Sequence, residues 1–238
     1  MINLIRADLR RVLRRPVIYI FGVLMMFFTL VSGFSEDAIQ QLSTEKMVVA
    51  YLIAIMASVP VLIGLYGDDF RSGTMITIIG RGVSRTKLMI SKLISSAVLL
   101  AGYYIVAFGE LYVLHTFAID ANYSPNQKLI FVMIMFLGWF RNVALFAFAS
   151  ILMYAFWSVA AGLVTILGLI GFLRIILNAV NQNGNFDLYS VTTDGLIDNA
   201  VTAMTSHDFP YQLIIVVIYF VLFIIVGSLF FKRKELDL

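Results

Sequence analysis

Few side chains in this sequence could do chemistry, and the most conspicuous of them stand inside apolar stretches. Glu110 and His115 fall in the apolar block at residues 93–119, and Arg141 and Arg174 in the block at 129–177. A charge at mid-bilayer costs about 2.5–3.5 kcal/mol on insertion scales, so such a group finds a partner or faces water. Counted from the outer ends of their blocks, Glu110 and Arg141 sit at roughly 13 and 18 Å depth at 1.5 Å per residue. They are expected to pair, either to fix helix packing or to act in gating or substrate contact. Together with His115 they would also suit the proton relay of an ion-coupled transporter. Arg174 is expected to snorkel to the outer surface.

Other chemistries lack their residues. The only histidines, His115 and His207, are too few and too far apart for a metal site. Cysteine is absent, which removes disulfides and thiol chemistry. No His-Glu-x-x-His pair exists for a metalloprotease, and His115 has no serine nucleophile set beside it. A phosphate-binding loop needs Gly-Lys before Ser or Thr, and the dipeptide Gly-Lys occurs nowhere. The chain is expected not to be an enzyme and to hold no cofactor or metal.

A second group of polar residues has a tighter pattern. Residues 68–92 carry Asp69, Arg71, Gly73, Thr74, Arg81, Ser84, Arg85 and Lys92 around a short apolar piece at 74–79. That piece is too short to span a membrane. Gly73 and Gly80 bracket it, which suits a short helix with chain turns at both ends. Such an element would offer a small apolar ridge to a groove on a soluble partner.

The elements that must position these residues follow from composition. Of 238 residues, 61% are hydrophobic and 13% charged, with a mean hydropathy of +0.95. A soluble domain is about half apolar and about a quarter charged, so lipid is the solvent for most of this chain. Five apolar blocks stand out, at 17–34, 47–67, 93–119, 129–177 and 211–231. The fourth would run roughly 73 Å as one helix, more than twice a bilayer core, and must fold back. Its turn is expected at 153–157, where aromatics suit an interface. The expected fold is all-α: a polytopic membrane protein, one transmembrane domain over 1–238 with six spans.

Basic residues set the orientation. Thirteen of the 17 lysines and arginines lie before the first span, between spans two and three, or after the last. The segments on the other side carry eight acids, namely Glu36, Asp37, Glu45, Asp120, Asp187, Asp194, Asp198 and Asp208. Both termini are therefore expected to be cytoplasmic. Residues 1–16 read as an uncleaved amphipathic interface helix, with Ile2, Ile5, Leu9, Val12 and Leu13 on one arc and Arg10, Arg11, Arg14 and Arg15 opposite. Its basic face serves as a membrane anchor or touches a cytosolic partner. Residues 178–210 form the longest polar segment and are expected outside the cell. Small residues Ala50, Ala54 and Ser58, and again Ser158 and Gly162, allow close helix approach, within one subunit or between two.

The loop at 68–92 resembles the permease subunits of the ABC type-2 exporter family. Members often show an acid, three residues, Gly-Thr, a short apolar helix, a Pro-Val-Ser-Arg-like turn and a lysine opening the third span. Here Asp69, Gly73-Thr74, Val83-Ser84-Arg85 and Lys92 match, while Asp69 replaces the commoner glutamate and Gly82 stands where proline is usual. The resemblance implies a coupling helix at about 72–81 seated on a separate ATP-binding subunit that holds ATP and Mg. It also implies a second permease copy, two identical chains as a homodimer, and the plasma membrane of a bacterial cell. It further implies export of an amphipathic or hydrophobic cargo, such as a peptide, an antimicrobial peptide or a lipid-like molecule, as in antimicrobial peptide resistance. No nucleic-acid partner is implied. The alternative class is an ion-coupled secondary transporter using Glu110, His115 and Arg141.

Overall fold

In lipid every backbone N–H and C=O must be bonded within its own segment, which leaves helices or closed barrels. The computed structural model describes residues 1–33, 44–117, 125–169, 192, 195, 196, 199 and 211–233, and among them the chain is helical with no strand. In chain order the helices are α1 (Ile2–Leu13), α2 (Pro16–Gly33), α3 (Thr44–Leu62), a π-helical turn (Ile63–Gly67), α4 (Asp68–Arg71), α5 (Thr74–Gly80), α6 (Arg85–Phe117), α7 (Pro125–Phe156), α8 (Val159–Leu167) and α9 (Gln212–Arg233).

Among the described residues, four stretches are long and apolar enough to cross a membrane: Ile53–Arg71, Arg85–Leu114, Phe131–Phe156 and Gln212–Lys232. Helices α1 and α2 meet at a 69° bend and make a fifth candidate if the bent pair counts as one span. Of the six expected spans, the one after the 153–157 turn is described only as far as residue 169. Residues 170–177, Arg174 among them, lie outside the described residues, as does most of 178–210.

The expected break inside the long apolar block is present. Helix α7 ends at Phe156, Trp157 takes a φ of 54°, and Ser158 is extended before α8 begins. The chain then folds back, because a Cβ on Gly162 would lie 2.5 Å from Met153 Cγ. Small residues act likewise between α3 and α7. The Ser58 hydroxyl donates to Asn142 Oδ1 at 3.1 Å, and Asn142 Nδ2 reaches the Ala54 carbonyl at 3.4 Å. Both contacts bury polar groups against partners, as a lipid-facing fold requires. Trp139 Nε1 donates to the Ala97 carbonyl at 2.9 Å and Tyr103 Oη to the Ile18 carbonyl at 2.7 Å, tying α7 and α2 to α6.

Helix α1 stops at Leu13, and Pro16 opens α2, where its missing N–H costs nothing. Ile2 is 73% exposed and Leu13 47%, which fits an apolar edge turned to lipid. Val12 points the other way, fully buried against Gly64 in the π turn. Pro60 lies inside α3 three residues ahead of that turn, where it removes one backbone donor from the ladder.

The approach at Gly64 is testable. A Cβ there would stand 3.0 Å from Val12 Cγ1. Gly64→Leu should overpack the α1 contact and cost about 1–3 kcal/mol, read as a lower thermal midpoint in mild detergent. Val12→Ala in the same chain should return part of that loss. No recovery in the double variant would mean that α1 does not seat on Gly64.

Candidate functional site

The loop expected between spans two and three is mostly helix. The π turn runs straight into α4, so the span-length stretch that starts at Ile53 continues to Arg71. Gly73 then takes φ 64°, a left-handed conformation that glycine adopts without strain, and α5 follows. At its other end Gly80 stays within the helix, and Gly82 supplies the reversal with φ 90°. Gly82 N donates to the Ile79 carbonyl at 2.9 Å and Val83 N to the Ile78 carbonyl at 3.4 Å. These two bonds make a Schellman cap, with Val83 and Ile78 both packed on the core. A proline at 82 could not adopt this φ. The departure from the Pro-Val-Ser-Arg pattern therefore has a structural role.

Ser84 caps the next helix by accepting the Lys87 N–H at 3.3 Å. Helix α6 begins at Arg85, so Lys92 lies two turns inside it and does not mark its start. Lys92 is 1% exposed and Asp69 is equally buried, and the two form an ion pair. Lys92 Nζ also holds Asp8 Oδ1 at 2.7 Å, and Arg11 grips both oxygens of Asp69, at 2.5 and 3.0 Å. The Leu65 carbonyl in the π turn accepts from Arg11 at 3.3 Å and from Lys92 at 3.2 Å. Asp68, on the exposed side, pairs with Arg15. Two acids and two cations from α1, α4 and α6 thus meet beneath the loop. The hydrogen bond to Asp69 raises the pKa of Arg11 further, against an opposing effect of burial.

Asp8, Arg11 and Arg15 are the functional residues that sequence reasoning missed. The expected picture put the arginines of α1 on one outward face, but Arg11 and Arg15 turn to the acids of α4. One signal was legible. Asp8 is the only acid in the first 16 residues, three positions before Arg11, with which it pairs at 3.3 Å.

The other candidates separate into two groups. Arg71 and Arg81 are exposed at either end of α5, Ser84 is exposed, and Gly73 and Thr74 are half-buried. Arg85 donates to the Phe231 and Lys232 carbonyls at 3.2 and 3.0 Å. A cation there satisfies the free carbonyls at the end of α9 and complements its dipole. Beside it, Phe70, Tyr154, Trp157 and Phe231 form an aromatic cluster, with ring centroids 4.9 Å apart for the edge-to-face pair Phe70 and Trp157 and 4.2 Å for the stacked pair Tyr154 and Phe231. The loop base is therefore fixed to α7, α8 and α9 as well as to α1 and α6.

Deeper in the membrane, Glu110 accepts the Thr29 hydroxyl of α2 at 2.7 Å. The expected Glu110–Arg141 pair is not among the ion pairs of the described residues. Depth along two helices sets height but not facing. Glu110 turns to α2, while Arg141 is buried in the bundle at 2% exposure. His115 lies on α6, and its side chain falls outside the described residues. The structure thus brings together Asp69 and Lys92, and it keeps Glu110 apart from Arg141.

No protein-family model matches the chain, and no curated protein is similar to it.

The ionic knot has an asymmetric centre. Asp69→Asn leaves two cations sharing one acid, and breaking a buried pair in this way costs about 3–5 kcal/mol. Lys92→Met leaves Asp69 with Arg11 and keeps the stem packed, so its thermal midpoint in detergent should fall less. Equal losses in the two variants would show that Asp69 is not the hub.

Proposed function

We propose that this chain is the membrane-spanning permease subunit of an ATP-driven ABC exporter, with six spans and both termini on the cytoplasmic side of a bacterial cell membrane. A separate subunit would bind ATP and Mg. Two copies of the permease would enclose a path for an amphipathic or hydrophobic cargo, such as an antimicrobial peptide or a lipid-like molecule, moved by alternating access. The observation that carries the reading is the mounting of α5. It is a seven-residue helix set between the ends of two span-length helices, capped at both ends by left-handed glycines and tied at its base by buried charges.

That mounting suits force transfer. A partner seated on α5 would push on α4, which continues α3 through the π turn. Asp69 would pass the displacement to α6 through Lys92 and to α1 through Arg11. Exposed Arg71, Thr77 and Arg81 flank the apolar side chains of α5 and give such a partner polar contacts at the rim. Asp69, Lys92 and Arg85 would act behind this surface as the frame that transmits the motion.

The test is an affinity pull-down of the tagged chain from native membranes in mild detergent, with ATPase activity measured on the eluate. An ATP-binding subunit should co-purify. Thr77→Glu with Arg81→Glu should lower its recovery at least about tenfold, equivalent to losing about 1.4 kcal/mol of binding, while the permease keeps its thermal midpoint. A chain that purifies without ATPase activity, and transports in proteoliposomes under an ion gradient alone, would sink the exporter reading. It would favour the ion-coupled alternative, in which Glu110 on Thr29, with His115 and Arg141, carries the coupling ion.

A further inference from the structure

Two of the span-length stretches end side by side, one at Arg71 and one at Phe156. The edge-to-face pair of Phe70 and Trp157 joins their ends. A cavity of about 470 Å³ opens at this seam, between the π turn, α4 and the start of α8, within the ~300–1,000 Å³ typical of ligand sites. Its lining changes character along its length. Ile63 and Leu163 give it an apolar end, while Asp68, Arg71 and Ser158 give it a polar one. Ile63 and Arg71 are separated by roughly 12 Å at 1.5 Å per residue. Phe70 and Trp157 also line the cavity. Trp157 reaches it from a left-handed backbone, φ 54°, which a bulky side chain adopts only where its surroundings hold it there.

The charges on this lining are opposite in sign and partly unused. Arg71 is exposed and makes no ion pair among the described residues. Asp68 gives one oxygen to Arg15, and its side chain stays 52% exposed. Ser158 precedes α8 without a side-chain cap bond. Among the described residues no other charge lines the cavity. A purely anionic ligand would set its charge against Asp68, and a purely cationic one against Arg71. A phosphate that carries an ammonium a few bonds away answers both, and an acyl chain behind it fills the apolar end. We infer that the cavity binds a zwitterionic phospholipid with a primary ammonium. Its phosphate lies on Arg71 and Ser158, its ammonium on Asp68, and an acyl chain along Ile63 and Leu163. A primary ammonium suits Asp68 because it donates charge-assisted hydrogen bonds, and the arginine fork matches phosphate oxygens. The position also suits a lipid, since spans end there and aromatic side chains sit at membrane interfaces. Such a site needs no ATPase partner, so it stands whether or not the exporter reading does.

The full chain, delipidated in mild detergent, would carry Trp139→Phe, which leaves Trp157 as its only tryptophan. It would be titrated with phosphatidylethanolamine brominated on its acyl chains and, separately, with phosphatidylglycerol brominated alike. Trp157 emission is the readout, because bromine quenches only at close range. Quenching should saturate at one lipid per chain, at least about fivefold more tightly for phosphatidylethanolamine. That factor corresponds to one charge contact at a membrane surface. Arg71→Gln should weaken phosphatidylethanolamine by about the same factor, and Asp68→Asn should bring the two lipids near equality. Arg81→Gln, the same charge change at the far end of α5, should alter neither. Ala160→Phe puts a ring on the cavity wall and should lower quenching by both lipids while the thermal midpoint holds. Quenching that never saturates and ignores the headgroup would show that Trp157 meets only bulk lipid, and would overturn the site. Tighter phosphatidylglycerol, with Asp68→Asn silent, would overturn the zwitterionic assignment. If Trp139→Phe lowers the thermal midpoint, native mass spectrometry of the unaltered chain, with and without Arg71→Gln, counts the bound lipid against the same expectations.

Discussion

Asp69 is a carboxylate taken almost entirely out of water at the end of a membrane span, and most of the local architecture follows from what that requires. An isolated buried charge of this kind is too costly to persist, so it must be met by cations with good geometry. One comes from α6, where Lys92 stands two turns inside the helix. The other comes from α1, where Arg11 approaches bidentately. Neither helix can take another position without leaving a charge unpaired. The elbow between α1 and α2, the depth at which α6 begins, and the seat of Val12 on Gly64 are therefore one constraint viewed from three sides.

Buried ion pairs contribute little net stability, since desolvation offsets much of the attraction, and their best-attested use is to fix register. Here the register being fixed is that of α5. Opposite the charges, the aromatic cluster of Phe70, Tyr154, Trp157 and Phe231 and the Arg85 cap on α9 hold the same base by apolar contact and by helix-end chemistry. A loop joined on both sides to five helices cannot flex alone. The π turn is the place where this frame can yield, because a widened turn shifts the backbone register, and such turns recur at functional sites. The Leu65 carbonyl in that turn binds both cations of the knot, so any change of its register acts directly on the charges.

Much of this was legible in the sequence, for reasons that can be named. Apolar blocks gave the helical class because lipid leaves few alternatives, and a block too long for one crossing gave the reversal near Trp157. The short apolar piece after Gly73 gave α5. What was not legible depends on facing. A basic amphipathic pattern says that arginines share a side of α1, and it says nothing of whether that side meets water or a buried acid 58 positions away. The resemblance set Lys92 at the opening of the third span, and the helix itself starts seven residues earlier, at Arg85. Glu110 and Arg141 matched in depth, but rotation about two helix axes decides contact, and apolar blocks carry little rotational signal.

The five arginines in and just after α1 do not share one environment. Arg11 and Arg15 pair with the acids of α4, while Arg6, Arg10 and Arg14 are exposed and make no ion pair among the described residues. The first set is taken up by the acids of α4 and ties α1 to the base of α5. The second is left over after every described acid near α1 has been paired. A helix that needed only to anchor in the membrane would require no such division, since surface attraction depends on the number of cations and hardly on their angle.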